Sequence, residues 1–226
     1  MALPAKHFEG YPLHPMGMPL RSFQPEEIKW ALEKTPPECV REILGVKSEN
    51  KAWNVLENVL ATKPMSLEDV KTRLKSIGEE TLRFWAFMAI RWVEILEQMY
   101  GHILGKVDIM RVLPPVENLG TIIRVNVKGM DEREVRVLKY SLLKSIYEHM
   151  KESGEGPSLK VLFLERDGHK VVPRNPKTPS QKALCKLLIE STAYGIGYVL
   201  GAPHEIDLYS PLVEKAQIRW EFAGPN

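Results

Sequence analysis

Apolar residues recur at helical spacing along most of the chain and alternate in only a few short stretches. The densest run lies in 79–104. There Phe84, Trp85, Phe87, Met88, Ile90, Trp92, Val93, Ile95, Leu96 and Met99 cover nearly the whole circumference of a helix. A helix that is apolar all round is buried on more than one side. The pattern therefore predicts a central core helix, or a core helix that also supplies a subunit interface. Phe84, Phe87 and Arg91 are the candidate interface residues.

Shorter amphipathic helices precede it. Pro25 suits the first position of a helix through Glu33. Pro36 or Pro37 opens a second, which Gly45 stops. Ser48 is placed to cap a third, whose stripe is Trp53, Leu56, Val59 and Leu60. Ser66 with Asp69 forms an approximate capping box for a fourth, ending near Ile77. The stretch 46–100 has the rhythm of a helix-turn-helix. A DNA-reading helix offers polar and basic side chains to the groove, and this third helix offers Trp, Phe and Met instead. Ahead of all these, residues 1–24 hold four prolines and two glycines and read as an extended arm.

After Gly105 the period changes. A short strand is expected over 107–112, and 121–129 alternates as a strand does. Asp131 with Glu134 is a capping box opening a helix to about Glu152. Its buried stripe is Val135, Leu138, Leu142, Leu143, Ile146 and Met150. Asp167-Gly168 between two apolar runs is a hairpin signal. A helix is then expected over 179–200, followed by strands at 204–209 and 216–222. Ala193, Gly197 and Gly201 stand at four-residue spacing, on one face of that helix or its extension. Interior glycine costs about 1 kcal/mol against alanine, so that face is expected to pack closely on protein or on a ligand. The fold class is α+β. The N-terminal half is helical, and the C-terminal half is a mixed or antiparallel sheet with helices on one face. The expected divisions are an arm (1–24), a helical region (25–105) and an α/β domain (106–226).

From 131 to 222, under half the chain, the order helix, hairpin, helix, hairpin resembles the 4-vinyl-reductase domain. That small α/β ligand-binding module is related in fold to subunits of the TRAPP vesicle-tethering complex. The pieces that carry the resemblance are LLKSIYEHMKESGEG, LERDGHKVV, CKLLIESTAYGIGYVLG and the closing RWEF. The resemblance implies a buried pocket, with Cys185, Ala193, Gly197 and Gly201 facing a ligand. Many bacterial and archaeal members carry further cysteines in the last hairpin. Here Ser210 and Ile218 lie near those positions, so the resemblance does not imply a thiolate metal or redox site.

Composition narrows the rest. The chain has 226 residues, a net charge of +2 and 44% hydrophobic content, which suits one large domain or two small ones with a proper core. Lys, Arg and Glu outnumber Asn and Gln, a bias seen in proteins from hot environments. The cysteines Cys39 and Cys185 are two and far apart, so neither a disulfide scaffold nor a CxxC zinc site is indicated. A cytoplasmic location is the default expectation, and no membrane span is expected.

Candidate chemistry is thin. Cys185 sits in an apolar helix without a base in reach and reads as core. His204, Glu205 and Asp207 would split between the two faces of a strand, leaving too few ligands for zinc. His7 and His14 lack further ligands nearby. Arg166, His169, Lys170, Arg174, Lys177, Lys182 and Lys186 form the densest basic run, a candidate patch for phosphate or an acidic partner. No catalytic residue, metal ligand or cofactor is assigned. The leading expectation is a non-enzymatic small-molecule-sensing or protein-assembly module, a homodimer with an apolar small molecule as ligand. The alternative is a nucleic-acid-associated regulator using the basic run. A third reading is an enzyme whose site is assembled from scattered residues.

Overall fold

Proline, glycine and short polar side chains set the helix ends in the computed structural model, which describes residues 20–108, 112–113, 122–154, 159–216 and 218. Helix α1 is Pro25–Ile28, with Pro25 at its start and the Glu27 carboxylate accepting from the Gln24 N–H at 2.8 Å. It stops well short of Glu33 because Lys29 turns left-handed, with φ of 69°. Tertiary pairing prevails over helix propensity here. The Trp30 N–H donates to the Ile103 carbonyl at 2.7 Å, and the Gly105 N–H donates to the Trp30 carbonyl at 3.0 Å.

Helix α2, Pro37–Leu44, ends on a left-handed Gly45 as expected. Helix α3, Lys51–Ala61, is capped by Asn50 rather than Ser48. The Asn50 Oδ1 accepts from the Ala52 and Trp53 N–H groups, whereas Ser48 bonds its neighbour Glu49. Helix α4, Leu67–Lys75, starts at Ser66, whose Oγ accepts from the Asp69 N–H at 3.1 Å. Helix α5, Glu80–Tyr100, packs on both α3 and α4. It presents Ala86, Ala89, Val93, Leu96 and Tyr100 to a core containing Trp53, Leu56, Val70 and Leu74.

Helix α6, Glu132–Glu152, opens on the reciprocal Asp131–Glu134 box. Of the expected stripe, Leu138, Leu142, Leu143 and Ile146 are buried, and Val135 and Met150 are half-buried. The helix is buried beyond that stripe, and on its flanks it buries polar groups. The Ser141 Oγ accepts from the Ala31 N–H at 2.8 Å. Arg136 and Glu42, each with a side chain only 7% exposed, pair at 3.0 Å. A buried backbone donor or charge needs such a partner, so these bonds fix α6 against α2 and the turn after α1.

The end of the proline-rich arm is a strand. β1, Leu20–Phe23, pairs in parallel with β2, Ile122–Val125, so the two flank the whole helical region. The expected strand at 107–112 lies partly outside the described residues. The chain divides into two compact units, Met1–Ile146 and Tyr147–Asn226, with the boundary inside α6.

The second unit departs most from the expected order. β3, Val161–Glu165, is followed by a short helix α7, Gly168–Val171, so Asp167-Gly168 does not turn a hairpin. Helix α8, Pro179–Ser191, is followed by a 3₁₀ turn, Thr192–Tyr194. Gly195 then takes φ of 77° and breaks the helix. Residues Ile196–Leu200 are strand β4, paired in parallel with β3 from Val161↔Ile196 to Glu165↔Leu200. A left-handed glycine and five ladder partners outweigh the apolar run that favoured continuing the helix. The expected strand at 204–209 is a 3₁₀ turn, Glu205–Asp207, followed by a single bridge from Leu208 to Pro173. Residues Ser210–Glu214 form helix α9. The strand expected at 216–222 lies largely outside the described residues. The class is α+β with helices dominant, and among the described residues both sheets are parallel pairs rather than mixed or antiparallel.

Candidate functional site

The outer side of α5 carries the expected interface residues. Phe84 is 60% and Phe87 57% exposed, and Ile95 and Met99 continue the stripe at 42% and 51%. Arg91 is exposed between them, its guanidinium 5.5 Å from the centre of the Phe87 ring. The all-round apolar pattern predicted burial on more than one side. Within the described residues the fully buried side is the one bearing Ala86, Ala89, Val93 and Leu96, and α5 packs on α3 and α4. Trp85 is half-buried at the edge of the stripe, meeting Phe84 edge-on at 5.0 Å with the Lys51 ammonium 5.7 Å from its ring.

The four expected ligand-facing residues do not share a face. Cys185 is buried in α8, and Ala193 is exposed in the 3₁₀ turn. Gly197 lies in β4, and Gly201 follows it. The reason is the break at Gly195, which replaces the helical period with a strand. Close approach is nevertheless present at Gly201. A Cβ added there would lie 2.5 Å from the Arg166 carbonyl oxygen. The Gly201 N–H donates to the Glu165 carbonyl at 2.8 Å, and the Gly168 N–H donates to the Gly201 carbonyl at 2.7 Å. Gly197 is different, since its added Cβ would meet only the side-chain ends of Leu159 and Leu162.

Cys185 instead lines a groove with residues from three segments. Pro176 comes from the connection before α8, and Lys182, Lys186, Ile189 and Glu190 come from α8 itself. Tyr209 comes from the turn before α9, and the groove volume is about 370 Å³. The Cys185 thiol is 2% exposed, and burial pushes its pKa up to about 12. It is a neutral, protonated floor at ordinary pH and not an activated nucleophile. Lys186 lies 3.8 Å from Glu190 and is 79% exposed. Lys182 is exposed and has no ion pair among the described residues.

The basic run is spread over several elements. Arg166 follows β3, His169 and Lys170 are on α7, Arg174 and Lys177 are in the connection, and Lys182 is on α8. All are exposed except His169, which is half-buried and whose buried Nδ1 has no hydrogen-bond partner among the described residues. Lys170 lies 4.0 Å from Asp167. Only Lys182 and Lys186 of the run line the groove. His204, Glu205 and Asp207 bend around a 3₁₀ turn rather than alternating along a strand. Among the described residues no three His, Cys, Asp or Glu side chains stand close enough to hold a metal ion. No helix of those residues is long and apolar enough to cross a membrane.

Two features escaped the sequence reading. Tyr209 and Pro176 wall the groove, and no local pattern brings them to α8. Leu162 and Leu164 alternate along β3, and they share a face with Gly197 and Val199 of β4. That face is open, with Leu159, Leu162 and Leu164 at 62%, 49% and 70% exposure. The alternation was visible, but a hairpin reading hid the parallel partner.

No family model and no curated protein matches the chain.

Proposed function

We propose that the chain is a non-enzymatic assembly module that self-associates through α5. The carrying observation is the exposed stripe Phe84, Phe87, Arg91, Ile95 and Met99 on a 21-residue helix whose opposite side is already packed. Exposed contiguous apolar surface of this kind marks interaction sites. Aromatic residues and arginine are enriched where proteins meet.

The order of residues along the stripe favours a second copy as the occupant. An antiparallel pair of α5 helices centred on Arg91 sets Phe87 opposite Ile95 and Phe84 within one residue of Met99. The aromatic half of one helix then meets the aliphatic half of the other, as a two-fold interface requires. Both Arg91 side chains lie near the axis in that arrangement. Each has its own Phe87 ring to rest on, 5.5 Å away.

Sedimentation equilibrium at micromolar concentration tests this. The expected mass is twice the chain mass of 25.8 kDa, falling to a single chain for Phe87→Glu. A single-chain mass for the unaltered protein refutes the proposal.

A further inference from the structure

We propose that the groove between α8 and Tyr209 binds a small organic anion with a flat apolar body, such as an aryl carboxylate or sulfonate. The groove combines a small apolar floor with a charged rim, which together would orient an amphiphilic ligand. Cys185, Ile189 and Pro176 supply the apolar surface, and half-buried Tyr209 supplies an aromatic wall with one hydroxyl. About 370 Å³ lies toward the small end of such sites, which run from about 300 to 1,000 Å³. That size suits one or two fused rings rather than a nucleotide or a polymer.

Charge selects the head group. Lys186 and Glu190 stand 3.8 Å apart and largely cancel. Lys182 is left as the uncompensated charge at the rim, one helical turn before Lys186. A single negative head can reach Lys182 while the ring system lies against Cys185 and Ile189. A dianion such as a phosphate ester would meet Glu190 as well. The floor offers nothing to react with, because the thiol stays protonated under burial. The groove therefore binds without covalent chemistry. This inference stands apart from self-association, since every lining residue lies in the second unit and α5 lies in the first.

The test is titration of the full ¹⁵N-labelled chain with naphthalene-2-sulfonate, followed by transverse-relaxation-optimised NMR. The expected result is saturable shifts at the amides of Lys182, Cys185, Lys186, Ile189 and Tyr209. The neutral analogue 2-naphthalenemethanol should bind at least tenfold more weakly. Lys182→Glu, a surface change that leaves the core untouched, should weaken the sulfonate at least tenfold. Lys160→Glu, away from the groove, should not. Shifts confined to α5, equal affinity for the neutral analogue, or an unaffected Lys182→Glu variant would each overturn the assignment.

Discussion

Gly197 and Gly201 are four residues apart and have opposite tolerances. At Gly201 the added Cβ meets backbone oxygen at 2.5 Å, and backbone cannot swing aside. Gly201→Ala should therefore lower unfolding free energy by about 1–3 kcal/mol through overpacking. At Gly197 the added Cβ meets the ends of Leu159 and Leu162, both well exposed and free to change rotamer. A β-branched residue suits the strand, so Gly197→Val should change stability by less than about 1 kcal/mol. Urea denaturation of the two variants side by side checks the contrast, and similar losses for both would refute it. Cys185 adds a pH dependence. Its folded pKa is raised to about 12 from an unfolded value near 8.5, so the folded state holds the proton longer. The contribution is complete below about pH 8.5 and is lost as pH rises toward 12. Stability should fall over that window, and Cys185→Ala should flatten the slope. Denaturation curves at pH 8, 9.5 and 10.5 measure it.

At the scale of the element, the buried pair of Arg136 on α6 and Glu42 on α2 is the contact to test. Removing one partner strands a buried charge, at a cost of about 3–5 kcal/mol. Glu132 lies 3.7 Å from Arg136 and is exposed, so Glu42→Ala should fall near the lower end, about 3 kcal/mol. The double change Glu42→Leu with Arg136→Met should recover most of that loss in the same denaturation assay. Helix ends in the first unit were legible because their signals are local. Pro37, Gly45, Ser66 and the Asp131–Glu134 box each act within a few residues of themselves. The α8–β4 segment was not, because an apolar run of that length suits one long helix as well as a helix and a strand. Gly195 was the discriminating residue, and its left-handed turn is fixed by the ladder to β3, a partner about 35 residues upstream. The groove was half legible for the same reason. Lys182, Cys185 and Lys186 follow helical spacing, whereas Tyr209 arrives through tertiary structure.

Over the whole molecule, oligomeric state is the property most open to a single change. If α5 pairs about Arg91, two like charges near the axis oppose association. Arg91→Leu should then tighten the dimer while Phe87→Glu dissociates it. Concentration-dependent sedimentation measures both, and an Arg91→Leu variant that associates no more tightly than the unaltered chain would refute pairing centred on Arg91. The composition expected a core large enough for a chain of 226 residues. That length allows one large domain or two small ones, and the boundary between the two compact units runs through one continuous helix. Periodicity reports which residues are buried and not which neighbours bury them, so a helix that crosses the boundary carries no mark of it.

The parallel pair β1–β2 also orders events during synthesis. Leu20 meets Ile122, so β1 leaves the ribosome about a hundred residues before its partner exists. At roughly 5–20 residues per second, that is about 5–20 s. The helices α3, α4 and α5 lie wholly between the two strands in sequence and make short-range contacts, which form fastest. Through that interval β1 has neither a ladder nor a partner, while the α5 stripe is already exposed. If α5 pairs as proposed, a nascent chain could meet another copy before its own first sheet has closed, and crowding on one messenger would then favour pairing between neighbours.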